Sequence, residues 1–190
     1  MTDKRPFHHG DLRAALISAA ATAIERDGIE NLSLRGLAQD IGVARSAPYR
    51  HFPTKQDLLD AVAAASRQDC HAAYAAIPSD LPPRVRLKRA GQFYLDYVRA
   101  HPNMVELIFA DHAAAPGQAA SESPLLLFID MVRDAMPGAE DGEIVRTAMT
   151  CWSALHGFSL LALSGRTARA GLVDDTDDAV LDTIFRMVPG

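Results

Sequence analysis

Residues 33–55 read SLRGLAQDIGVARSAPYRHFPTK, and the order of apolar, small and basic residues in this stretch decides how the rest of the chain is read. Leu34, Leu37, Ala38 and Ile41 recur at i, i+3, i+4 and i+7, which gives one helical face an apolar stripe. Ser33 stands just before the run, where a hydroxyl can accept from the first unpaired backbone N–H groups. Gly42 follows Ile41, where a helix stops on a residue that tolerates a left-handed backbone. Val43, Tyr49 and Phe52 resume the apolar pattern, so the spacing predicts a second, short helix over roughly Arg45 to His51. Pro48 fits that helix only in its first turn, which sets the start near Ala44 or Arg45. Pro53 ends the unit, Thr54 is placed to cap a third helix, and Lys55 begins it. A helix, a tight turn and a second short helix form a unit that seats a helix in a DNA major groove. The outward positions Arg45, Ser46, Arg50 and His51 can meet phosphates or base edges.

Charge has to be read locally. The 190 residues carry a formal net charge of −5, which alone argues against a nucleic-acid partner. Within 33–55, however, Arg35, Arg45, Arg50 and Lys55 face only Asp40, a local +3. Residues 76–190 hold 10 basic and 15 acidic side chains and account for −5. A basic element on an acidic body suits a protein that touches DNA with one end.

The rest of the chain reads as helix. With 48% hydrophobic residues it can bury a substantial core, in one ordinary domain or two small ones. Helical periodicity covers about 11–27, 57–76, 84–100, a segment opened by Pro102, 124–136, 143–164 and 176–188. Pro78, Pro82 and Pro83 mark a boundary, and 113–123 reads as an irregular connection. No segment alternates apolar and polar residues over strand length. The expectation is an all-α protein of about nine helices, with a helix-turn-helix domain at 1–56, a connecting helix at 57–76 and a helical body at 77–190. No apolar run approaches the ~20 residues of a membrane span. MTDKRPFHHGD lacks the apolar core of a signal peptide. Cys70 and Cys151 read as free thiols of a cytoplasmic protein.

The stretch S-L-R-x-L-A-x-x-I-G-V-A-R-S-A-P-Y-R-H-F-P-T-K-x-D-L-L, Ser33 to Leu59, resembles the DNA-binding domain of the tetracycline-repressor-like (TetR) family of bacterial transcription regulators. The resemblance is strong over about 8–75 and weak beyond. His8-His9-Gly10-Asp11-Leu12-Arg13 is similar to the first-helix start of one branch, and Trp152, His156 and Gly157 resemble the helix that labels a "WHG" branch. Pro48 departs from the family, many of whose members have leucine or another residue there. The resemblance implies a repressor that binds a palindromic double-stranded DNA operator as a homodimer, through helices at about 143–164 and 176–188. It also implies an effector, a small molecule bound in the body. Ser33, Arg35, Tyr49 and Lys55 would chiefly hold the backbone, while Arg45, Ser46 and Arg50 would read bases. Lys55 at a helix N-terminus opposes the macrodipole, which favours a phosphate partner. Lys4 and Arg5 are candidates for a minor-groove arm.

In the body, Trp152 and His156 share a helix face, Phe93 and Tyr97 lie one turn apart, as do Met104 and Ile108, and Met149 precedes Trp152 by a turn. Aromatics and methionines with a few polar groups can line an effector pocket, and each can equally be core. Two other readings stand beside this one: a dimeric regulator without an effector, and a helical small-molecule-binding protein or enzyme whose helix-turn-helix is only structural. Neither an enzyme nor a cofactor is expected, since there is no G-x-S-x-G, no phosphate-cradling glycine loop, and no paired carboxylates with a pocket to define them. A metal is not expected either. His8-His9, Asp111-His112 and Cys70-His71 are adjacent pairs whose side chains diverge, and Cys151 and His156 are five apart.

Overall fold

A computed structural model describes residues 12–109, 123–172 and 177–188. Among these residues all regular structure is helical: α1 (Leu12–Asp27), α2 (Leu34–Asp40), a 3₁₀ turn (Pro48–Arg50), α3 (Lys55–Ala75), α4 (Pro83–Ala100), α5 (Val105–Phe109), α6 (Pro124–Ala135), α7 (Asp141–Leu163), α8 (Arg166–Arg169) and α9 (Asp177–Phe185). The all-α reading holds. Lys4, Arg5, His8-His9, Asp111-His112 and most of the connection at 113–123 lie outside the described residues. None of the described helices is long and apolar enough to cross a membrane.

The chain divides into two compact units, and the first cut falls after Ser66, inside α3. The first unit, the head, holds α1, α2, the 3₁₀ turn and the start of α3, and the chain from Asn103 through α5 returns to it. Leu12, Leu16, Ala20 and Ile24 of α1 are buried with Leu34, Leu37 and Ala38 of α2 and Leu58, Leu59 and Val62 of α3. Asn103 secures the returning chain through a hydrogen bond from its side-chain amide to the Glu25 carbonyl at 2.9 Å.

The second unit, the body, is a bundle in which α4 packs on α6, α7 and α9, and α7 also packs on α6, α8 and α9. Its centre holds Leu87, Tyr94, Leu95, Phe128, Val132, Ala148, Cys151, Leu155, Leu181 and Phe185. Gly91 lets α4 and α9 approach: a Cβ there would stand 2.6 Å from a Leu181 methyl and 2.9 Å from the Phe185 ring. Three polar ties run along the same pair. Arg84 donates to the Val188 carbonyl at 2.7 Å, Lys88 meets Asp178 and Asp182, and Arg99 makes a two-pronged pair with Asp177 at 2.5 and 2.6 Å. Cys70 and Cys151 are free and buried, as the sequence suggested, and burial pushes both thiols up to about 11.

Candidate nucleic-acid interface

The head is locked by its helix ends. Ser33 caps α2, its Oγ accepting from the Gly36 N–H at 3.1 Å. At the other end, the Val43 N–H donates to the Ala38 carbonyl at 2.9 Å and the Gly42 N–H to the Gln39 carbonyl at 3.2 Å. That pair of bonds requires a left-handed residue between helix and turn, and Gly42 supplies it with φ 72°. At the start of α3, the Thr54 hydroxyl accepts from the Asp57 N–H at 3.1 Å while the Asp57 carboxylate accepts from the Thr54 N–H at 2.8 Å. These bonds form a reciprocal cap, and the Thr54 hydroxyl, which donates to the Asp57 carboxylate at 2.7 Å, together with the Thr54 N–H holds the Asp57 carboxyl below the usual carboxylate range.

The segment between the caps differs from the expected helix over 45–51. The Ala47 N–H donates to the Ala44 carbonyl in a single turn, and a separate 3₁₀ turn begins at Pro48. The reason is Pro48 itself. In a helix whose first residue is Arg45, position 48 is the first whose N–H must bond back, to the carbonyl of Ala44. Proline has no N–H to give and its ring crowds that carbonyl. Pro48 instead opens the second turn, whose carbonyl accepts from both the His51 and Phe52 N–H groups at 3.0 and 2.9 Å. Pro48 and Phe52 are buried, so the turn is anchored in the head by its apolar side.

This anchoring leaves Arg45, Ser46, Tyr49 and Arg50 exposed, Tyr49 at 43%, and His51 half-buried. Arg35 is exposed on α2. Lys55 has a different setting: its ammonium donates to the carbonyls of Ile29 at 2.7 Å and Glu30 at 3.2 Å. The charge that opposes the α3 dipole is thus met inside the head, across the loop that joins α1 to α2. The Arg13 guanidinium lies 5.2 Å from the centroid of the Phe52 ring.

The candidate effector residues separate. Met104 and Ile108 are buried and group with the head. Phe93, Tyr97, Trp152 and His156 are half-buried side chains of the body. Trp152 packs against Tyr94 and Phe128, with ring centroids 5.3 and 5.5 Å apart, and the Tyr94 hydroxyl is hydrogen-bonded to His156 Nδ1 at 2.5 Å. Burial lowers the His156 pKa and raises that of Tyr94, so both are neutral near neutral pH. The bond ties the imidazole of α7 to the phenol of α4 within the body. Phe93 stacks edge-on with Tyr74 and contacts Tyr97. Met149 is 41% exposed on α7.

Residues 16–62 match the family described as "Bacterial regulatory proteins, tetR family" and residues 87–188 match "Tetracyclin repressor-like, C-terminal domain". The chain belongs to the TetR family. As a TetR-family member it is a DNA-binding transcriptional regulator. It is similar to a protein of unknown function from Rhodococcus sp. RHA1, at 28% identity and a TM-score of 0.74, covering 98% of this chain and 100% of that one. It is 24% identical to an uncharacterised HTH-type transcriptional regulator of Mycobacterium tuberculosis over 94% of this chain and 80% of that protein. It shares its fold with BioQ solved with a double-stranded DNA operator, at 24% identity and a TM-score of 0.59, covering 94% and 98% of the two chains.

Two residues at the centre of the body of this TetR-family regulator were missed from the sequence, Tyr94 and Phe128. The signal for Tyr94 was present: Leu87, Gly91, Tyr94 and Val98 recur at helical spacing and are all buried. Phe93 and Tyr97, which drew attention as an aromatic pair, flank that face. Phe128 sits in the apolar run LLLF, where periodicity cannot say which residue points to Trp152.

Proposed function

We propose that this regulator is a ligand-responsive repressor that binds a palindromic operator as a homodimer and leaves it when a small molecule occupies the body. The DNA half of the reading is carried by the exposed row Arg45, Ser46, Tyr49 and Arg50 on a turn whose Pro48 and Phe52 are buried. Arg45, Ser46 and Arg50 read base edges, and a guanidinium suits the paired acceptors of guanine. Ser33, Arg35, Tyr49, His51 and the one ammonium donor left on Lys55 hold the phosphate backbone. Residues 1–56 serve as the reader, 57–76 as the connector and 77–190 as the controlling domain.

Dimerisation is supported by α7. Val145, Met149, Leu160 and Leu163 are each 40–43% exposed, and at 100° per residue they fall within about 60° of one another. That outward apolar stripe, with α9 beside it, suits a second copy of the chain. The effector reading rests on Phe93, Tyr97, Trp152 and His156 with Tyr94: aromatic walls and a few polar tips. Met149 belongs to the outward stripe, and Met104 and Ile108 to the core of the head. The effector would act through α3, which is continuous from one unit into the other. It regulates only if it binds better to the head spacing that DNA rejects.

The test is Arg45→Ala, assayed on a duplex selected by the wild-type protein from random DNA and on an unselected duplex. Specific affinity is expected to fall by about 1–3 kcal/mol with little change in nonspecific affinity. Equal loss on both duplexes would remove Arg45 from base reading.

A further inference from the structure

Arg13 lies on the first turn of α1, far in sequence from the segment 33–55. Its side chain is exposed, and its guanidinium is held 5.2 Å from the centre of the Phe52 ring. That ring is 2% exposed, and the Phe52 N–H donates to the Pro48 carbonyl, so the ring is fixed to the recognition turn itself. Phe52 therefore brings an arginine from α1 to the end of the turn that bears Arg50 and His51. Among the described residues, no carboxylate pairs with Arg13. Arg26, Arg86 and Arg99, by contrast, pair with Asp27, Asp134 and Asp177. An aromatic face attracts and orients a guanidinium, while the in-plane N–H donors stay available for anionic oxygens.

We propose that Arg13 is an additional DNA contact, a phosphate-binding arginine that Phe52 holds in register with the recognition turn. The assignment rests on the DNA-binding reading above and extends its interface to α1. Phe52 is then more than a core residue: its buried side anchors the turn, and its ring positions a cation beside it. A contact of this kind adds affinity on any DNA sequence and steepens the salt dependence of binding. It leaves base preference unchanged.

The experiment measures binding of a short mixed-sequence DNA duplex by fluorescence anisotropy across a series of salt concentrations. Arg13→Met removes the charge and keeps an apolar cover over Phe52. It is expected to make the slope of log affinity against log salt shallower by about 0.9 for each copy engaged. Arg13→Lys is expected to keep most of the slope. Arg26→Met makes the same charge change at the opposite end of α1 and is expected to leave the slope in place. Thermal unfolding followed by circular dichroism reports whether each variant folds, and Arg13→Gln replaces Arg13→Met if the latter does not. An unchanged slope in the folded Arg13→Met or Arg13→Gln protein overturns the assignment, as does an equal change in Arg26→Met. Absence of salt-dependent binding by the wild-type protein would instead overturn the DNA-binding reading on which the assignment rests.

Discussion

Single residues set the chemistry of both units. Pro48 lacks one N–H, and for that reason a helix expected over 45–51 becomes a turn followed by a 3₁₀ turn. The sequence displayed the proline, but the register of the missing bond becomes visible only when the carbonyl of Ala44 has to find a partner. Lys55 is a similar case. Its position at a helix start was legible, whereas its hydrogen bonds to Ile29 and Glu30 join residues 25 and 26 positions apart, beyond the reach of any local pattern. In the body, His156 gives a pH prediction. Burial lowers its pKa in the folded protein relative to the ordinary value of 6.5. The unfolded chain therefore takes up the proton first as pH falls. This contribution to stability is complete above about 6.5 and declines as pH drops below it toward the folded-state value. Urea unfolding of the wild-type protein and His156→Asn on either side of that pH is expected to show a loss of stability on the acid side that the variant lacks in part. Parallel pH profiles would contradict the assignment.

Elements were legible where their ends carry signals. Ser33, Gly42 and Thr54 cap and terminate α2 and α3 with the bonds their chemistry offers. The four-residue α8 escaped, because a single turn has too few residues to show a period. The packing of α4 on α9 was equally hidden: Gly91 in KRAGQFY resembles a helix weakness, and its use appears only against Leu181 and Phe185. Gly157, in the interior of α7, provides a matched control, since a Cβ there would meet nothing within 4 Å. Alanine gains about 1 kcal/mol over glycine in a helix, while overpacking a tight core costs about 1–3 kcal/mol. Gly157→Ala is accordingly expected to stabilise the protein by about 1 kcal/mol. Gly91→Ala is expected to destabilise it, because Leu181 and Phe185 are themselves buried and have little room to yield. Chemical denaturation of the two variants checks the pair, and a stabilised Gly91→Ala protein would contradict the close approach of α4 and α9.

At the scale of the whole molecule, charge and apolar surface divide the labour. The local +3 of 33–55 sits in the head, and the acidic excess of 76–190 belongs chiefly to the body. The exposed stripe of α7 supports a two-fold dimer, and a two-fold dimer dictates the symmetry of the DNA it prefers. In the proposed dimer, two heads read two half-sites. Sequencing DNA retained by the wild-type protein from a random pool tests it most directly. An inverted repeat is expected to be enriched, with half-site centres about one helical turn, or a multiple of it, apart. Enrichment of a single unrepeated site, or no enrichment over the starting pool, would contradict it.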